Sequence, residues 1–257
     1  MMIDSHCHLT YEPLAVQIEG VLERARGAGV EGMITIGTSL NDARLAVELC
    51  KQRPQVRCAI GIHPHHAAEA RDGDVEELRE LAKNPEVLAL GEMGLDYHYD
   101  FSPRERQREI FLRQLELARE ARRAIVIHCR EAIEDCLKIL KDFGQVPAVF
   151  HCFTGSREEA RKILDRGYLL GFTGVVTFKK SEEVREVVRE MPLDRMLLET
   201  DAPYLAPEPM RRRKVNEPAL VVHTAAAIAK IKGTRVEEVG EVTAENAKKF
   251  FGWSVQP

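Results

Sequence analysis

Ala124-Ile125-Val126-Ile127-His128-Cys129-Arg130 runs four apolar residues in unbroken succession and then ends on a histidine, a cysteine and an arginine. A strand with one wet face alternates apolar and polar residues. An unbroken run instead reads as a strand buried on both faces, as in a parallel sheet wrapped by helices. The pattern recurs along the chain at 2–5, 32–37, 56–62, 87–93, 148–153, 168–174 and 196–200.

Helical patterns fill the intervals, over 12–28, 41–52, 74–83, 102–122, 130–143, 156–166 and 181–190, with two more near 218–230 and 236–250. The third ends before Pro85, and the fourth is expected to start on Ser102 as N-cap with Pro103 in the first turn. Gly144 and Gly167 stand where helix C-termini favour glycine. Eight strands alternating with helices over 257 residues predict a single α/β domain spanning 1–257. Its expected form is a (β/α)8 TIM barrel, a fold of about 250 residues.

Net charge is −4, from 37 basic and 41 acidic residues, which predicts no global attraction to a polyanion or a membrane surface. A polyanion would need a local cluster, and Arg211-Arg212-Arg213-Lys214 in the long loop over 201–217 supplies one. Long loops in compact domains usually carry function. The six cysteines include no CxxC pair. Three follow histidines, so in a strand they face away from them and toward the helices, as small apolar packers. No basic-then-apolar leader and no apolar run near ~20 residues is visible. The expectation is a cytoplasmic protein without a membrane or an obligate protein partner.

Six residues of metal-binding type map to strand ends: His6 and His8 on the first strand, Glu92 on the fourth, His128 on the fifth, His151 on the sixth and Asp201 after the eighth. Barrel active sites form at that rim, and four imidazoles with two carboxylates suffice for two divalent ions. A lone strand-end histidine is usually structural, but six residues on one rim point to a metal centre. His63 faces the same mouth as a candidate substrate contact, with His65 beside it, and Arg130 can reach a substrate phosphate. Asp96 and Glu199 are candidates for orienting ligands. His66, His98 and His223 read as non-ligands. Tyr97, Tyr99, Phe153, Phe178 and Tyr204 are the aromatics near the mouth that can meet a base.

These residues sit in motifs that resemble the TatD-type metal-dependent deoxyribonucleases of the amidohydrolase superfamily. The resemblance follows the whole chain in order. It rests on Ile3-Asp4-Ser5-His6-Cys7-His8, Gly61-Ile62-His63-Pro64-His65, Gly91-Glu92-Met93-Gly94-Leu95-Asp96-Tyr97, Ile127-His128-Cys129-Arg130, His151-Cys152-Phe153-Thr154-Gly155-Ser156, Glu199-Thr200-Asp201-Ala202-Pro203-Tyr204-Leu205-Ala206-Pro207 and Asn216-Glu217-Pro218. It implies that His6, His8 and Asp201 hold one metal, that His128 and His151 hold the other, and that Glu92 bridges. It also implies that Arg130, His63, Lys214 and Asn216 lie near the scissile phosphate.

The activity implied is hydrolysis of DNA phosphodiester bonds from the 3′ side, on single strands or 3′ ends, with Asp201 moving a proton. Mg2+ or Mn2+ is the implied functional metal. By ligand type alone a histidine-rich set also suits Zn2+ or another transition metal. The ligands do not separate phosphodiesterase from a hydrolase of a lactone, amide or aminoacyl ester; the basic loop favours phosphate. One departure stands out: Arg213 occupies the position where the family usually has glycine, which raises the question of a positive φ there.

Overall fold

In a computed structural model, which describes residues 1–253, eight strands are formed: β1 (Met2–Cys7), β2 (Val30–Gly37), β3 (Val56–Ile60), β4 (Val87–Asp96), β5 (Ala124–Arg130), β6 (Ala148–Phe150), β7 (Leu169–Phe172) and β8 (Met196–Leu198). They belong to one eight-stranded sheet in chain order, and the described pairings are parallel. The last strand returns to the first through a parallel bridge between Cys7 and Ala202. Nine α-helices are described, α1 (Ile18–Gly27), α2 (Leu40–Lys51), α3 (Asp74–Leu81), α4 (Arg104–Ala121), α5 (Ile133–Phe143), α6 (Arg157–Leu164), α7 (Glu182–Glu190), α8 (Val221–Lys232) and α9 (Val236–Phe251). None among the described residues is long and apolar enough to cross a membrane. Packing divides the chain into two compact units, 1–35 with the chain from His151 onward, and 36–150.

In the first unit, β1 is buried from Ile3 to Cys7, as the unbroken apolar reading requires. Helix α1 starts six residues later than expected, at Ile18, after a short 3₁₀ turn at Ala15–Gln17. The ring of Pro13 disfavours the helical conformation at the residue before it, so the chain turns before the helix begins. Helix α6 begins as the sequence indicates: Ser156 and Glu159 form a reciprocal capping box. Helix α9 lays Val239, Ala244, Ala247 and Phe251 inward, and its Asn246 amide donates to the carbonyls of Leu193 and Met196 on either side of the start of β8.

In the second unit, all ten residues of β4 are buried. At Gly94, opposite His128 in β5, φ is +141° and an added Cβ would lie 2.0 Å from the His128 carbonyl oxygen. Only glycine lets the two backbones approach that closely. Helix α5 begins at Ile133, later than expected, because Arg130 remains in β5 and Glu131 takes a left-handed conformation, φ 53°. Ser102 does not cap α4: Pro103 holds the cap position, and the Ser102 hydroxyl instead donates to His65 O and accepts from Ala68 N–H.

Helix α4 has a second function. Its Gln107 and Gln114 are both about 1% exposed and, seven residues apart, lie on one face. Gln114 accepts from the Ile62 N–H and donates to the Ile62 carbonyl. Gln107 accepts from the Asp96 N–H and donates to the carbonyls of Asp96 and Ser102. Each amide supplies the backbone partners that a strand end lacks once the sheet ladder stops. The cysteines are free; of the three that follow histidines, Cys7 is fully buried as expected, whereas Cys129 and Cys152 are only partly buried, Cys152 because it lies beyond the end of β6 in a left-handed turn.

Candidate functional site

In the first unit the donors come from β1, from the residue after β6 and from the segment after β8. His6 near the end of β1 and His8 just beyond it both turn toward Asp201, their Nε2 atoms 3.7 and 3.2 Å from its Oδ1. The His6 ring stacks on His151 with centroids 3.9 Å apart. One ligand atom each from His6, His151 and Glu199 lies within 4.8 Å of the others, and all three residues are buried.

Backbone zipping holds this group. The Asp201 N–H donates to His6 O at 2.9 Å, and the His8 N–H donates to Ala202 O at 2.7 Å. Beneath them Asp4 accepts from the Thr200 N–H and hydroxyl and from the His6 N–H. Glu199 accepts from the Cys152 N–H at 2.9 Å. Asp201 and Cys152 both take left-handed conformations, φ 56° and 45°. Non-glycine residues adopt that region at a cost of order 1 kcal/mol, and such positions concentrate at functional sites.

In the second unit the donors are His63, His65, Glu92, Asp96 and His128. Ligand atoms of His63, His65 and His128 lie within 4.8 Å of one another. His128 presents Nδ1 to Glu92 Oε1 at 2.8 Å and Nε2 to Asp96 Oδ2 at 2.9 Å. The same Asp96 oxygen takes His65 Nε2 at 2.8 Å, and its other oxygen accepts the N–H groups of His98 and Tyr99. His63 caps the short 3₁₀ turn at Pro64–His66, accepting the His65 N–H at its Nδ1, which turns Nε2 toward Glu92 Oε1, 3.4 Å away.

Burial and mutual contact shift the ionisable side chains of both groups. In the first, burial pushes Asp4 up to about 7 and Glu199 up to about 8. Burial also opposes ionisation of Asp201, but the imidazoles of His8, His6 and His151 outweigh it and hold that carboxyl below its usual value. In the second, burial drives His63 down to about 3. Burial lowers His128 too, yet hydrogen bonds to Asp96 and Glu92 prevail and raise it to about 9. Buried carboxylates converging on imidazoles favour a compensating positive charge. Imidazole nitrogen and carboxylate oxygen together are the donor types of Zn2+, Mn2+ and related ions. The residues present fit divalent metal.

The sequence anticipated His6, His8, Glu92, His128, His151 and Asp201, and each lies in one of these groups. Asp96 is tied to two imidazoles, and Glu199 is itself a potential donor. The side chains of His66 and His98 pair with exposed Glu69 and Glu131.

The loop after β8 departs from expectation. Asn216 is fully buried; its amide donates to the carbonyls of Thr200 and Tyr204 and its oxygen accepts the Glu217 N–H. The expected substrate contact is therefore a loop-holding residue, because every polar atom of the side chain is used by backbone. Lys214 is exposed. Arg211 packs over Phe178, 4.0 Å from the ring centroid, and Arg213 pairs with Glu217 at 3.3 Å. Arg213 is not among the positive-φ residues, so no left-handed backbone is required where the family has glycine. Sequence reasoning missed Gln107, Gln114 and the Asp4–Thr200 bond, whose only signal is polar residues inside apolar patterns.

Known proteins place the chain in a family and a fold. The model of the family described as TatD related DNase matches residues 3–252. The uncharacterized metal-dependent hydrolase YabD of Bacillus subtilis is 42% identical over 253 residues, covering 98% of this chain and 99% of its own. A protein of Erwinia amylovora named 3′-5′ ssDNA/RNA exonuclease TatD is 40% identical, covering 98% of this chain and 100% of its own. Among solved structures, the TatD homolog YjjV of Escherichia coli K12 superposes with a TM-score of 0.93 at 27% identity, covering 98% of both chains. The fold is the (β/α)8 TIM barrel that eight sequential parallel strands had implied. The chain belongs to the TatD-related DNase family of hydrolases.

Proposed function

We propose that this hydrolase is a metal-dependent phosphodiesterase that removes nucleotides from the 3′ end of single-stranded DNA, and that its two units make one catalytic domain. The observation that carries the reading is the position of the donors: His6, His8, Glu92, His128, His151 and Asp201 each stand in the second half of a parallel strand or within three residues of its end. That is where barrels build catalytic sites. Family membership and the relative named as an ssDNA/RNA exonuclease support the substrate class.

The residues proposed to hold two divalent ions, Mg2+ or Mn2+ in function and Zn2+ by donor type, are these six. Such ions would supply the acidity that ionises water near neutral pH and the charge that opposes build-up on the attacking and leaving oxygens. Asp201 would accept the proton of the attacking water and return it to the leaving sugar oxygen. Arg130 and Lys214, both exposed, would pair with non-bridging phosphate oxygens. His63 and His65 would orient the phosphate from the same side as Glu92. Asp96 and Glu199 would keep the imidazoles and the Cys152 backbone in place.

The test is release of mononucleotides from 5′-end-labelled single-stranded DNA by stripped protein resupplied with Mg2+, Mn2+ or Zn2+, beside Asp201→Asn. Stepwise shortening that needs metal and vanishes in the variant is expected. Intact DNA from metal-loaded protein would overturn the reading and direct the search to lactones, amides and aminoacyl esters.

A further inference from the structure

Outside the donor groups, the second unit exposes an aromatic pair for which its own packing has no need. Tyr99 and Phe101 are 47% and 66% exposed, yet their rings stack face to face, 5.3 Å between centroids and 13° between planes. The Arg130 guanidinium lies over the Tyr99 ring at 4.6 Å. The His65 ring meets both edge-on, 4.8 Å from Phe101 and 5.5 Å from Tyr99. A protein gains little by holding two large rings in water, and scattered exposed apolar residues need no explanation. A stacked pair carrying a cation and joined to a donor histidine is not scattered.

The loop beneath the pair is built, not loose. Asp96 Oδ1 accepts the N–H groups of His98 and Tyr99. Asp100 takes a left-handed conformation, φ 50°, and pairs with Arg104, whose guanidinium lies 4.2 Å from the Tyr97 centroid and donates to the Tyr97 carbonyl. Ser102, fully buried, ties the far side of the loop to His65 O. The carboxylate that fixes His128 and His65 thus also fixes the aromatic pair.

We propose that Tyr99 and Phe101, with Arg130, form a nucleobase-stacking subsite that receives an unpaired base of the DNA strand being cut, a proposal that rests on the nuclease reading above. Three features select this occupant. The rings are flat, mutually parallel and largely exposed, so a further planar ring can add to the stack. The cation beside them suits a base flanked by phosphates. A base inside a duplex already has neighbours on both faces, so a protruding ring favours single strands. Stacking of this kind is tolerant of sequence, since every base has a π-face.

The test uses full-length Mn2+-loaded protein and a single-stranded oligonucleotide with 2-aminopurine near its 3′ end, phosphorothioate-linked for binding and unmodified for cleavage. Wild type is expected to quench the fluorophore. Phe101→Ala should lose most of the quenching and raise KM roughly tenfold with kcat changed less than about twofold, and Phe101→Tyr should restore both. Equal quenching and KM in Phe101→Ala, with DNA still cut, would overturn the subsite and leave the nuclease reading standing. Wild type that hydrolyses bis(p-nitrophenyl) phosphate but neither binds nor cuts DNA would overturn both. A changed sedimentation coefficient in Phe101→Ala with unchanged DNA binding would assign the rings to contact between copies and overturn the subsite.

Discussion

His128 Nε2 donates to Asp96 Oδ2 at 2.9 Å, and Asp96 is fully buried. Asp96 also takes His65 and two backbone N–H groups, so one carboxylate sets a donor ring, a candidate substrate contact and the start of the aromatic loop. Burial alone would raise its pKa, but the hydrogen bonds from His128 and His65 prevail and hold it far below the usual carboxylate range. Asp96→Ala is expected to lower metal affinity 10- to 100-fold, the usual effect of removing a carboxylate that orients a ligand. It should also cost about 3 kcal/mol of stability, because four donors lose their acceptor. Calorimetric Mn2+ titration and urea unfolding measure the two effects; unchanged affinity would show that Asp96 serves the loop alone.

Gln107 and Gln114 stand two turns apart, about 10 Å along α4, and serve different backbone segments. Replacing either with alanine leaves buried backbone groups without partners, at about 1–3 kcal/mol each. With no shared partner, the two losses should add to within ~0.5 kcal/mol in urea unfolding. A coupling well above that would mean the two strand ends move together.

Two glycines separate side-chain from backbone crowding. A Cβ at Gly171 would sit 2.0 Å from Glu199 Oε1, so Gly171→Ala should displace that carboxylate and reduce metal content by mass spectrometry, while costing only about 1–3 kcal/mol. At Gly94 the obstacle is the His128 carbonyl, and φ is +141°. Backbone cannot rotate away as a side chain can, so Gly94→Ala should cost more than Gly171→Ala in thermal unfolding. The reverse order would refute the assignment of Gly94 as a close-approach position.

In the loop after β8, Arg213→Gly removes a half-exposed ion pair with Glu217 and loosens the unfolded chain. It should therefore cost no more than ~1 kcal/mol. Asn216→Ala removes a buried amide with two carbonyl partners and should cost more, about 2 kcal/mol. Lys214→Ala should leave stability unchanged and lower the salt dependence of DNA binding by about one unit of slope. Denaturation and a salt titration check the three together.

Ligand binding stabilises whatever form takes it up. Saturating Mn2+ at about 100 times its Kd should raise unfolding free energy over chelator-treated protein by about 2.7 kcal/mol for each ion bound. Glu92→Ala should abolish that increment and the catalytic turnover while the barrel remains folded by circular dichroism. Retained turnover would remove Glu92 from the ligand set.

The number, order and type of the strands were legible because burial on both faces leaves an unbroken apolar run, and that pattern is local. The six proposed donors stood out for a related reason: a polar residue at the end of such a run is out of place unless it has work at the rim. Helix starts were less legible. The N-cap preference of Ser102 yielded to a tertiary bond with His65 O, and the Pro13 turn delayed α1.

Sequence by itself therefore determined the eight-strand barrel and the family, since each is written in short-range patterns or in ordered motifs. Tertiary structure alone decided the partners. Asp4 meets Thr200 across 196 positions, Gln114 meets Ile62 across 52, and the His6 ring stacks on His151 from another strand end. A hydrogen bond or a ring contact reaches only a few ångströms, and which distant residues come that close is set when the sheet closes, not by their spacing along the chain.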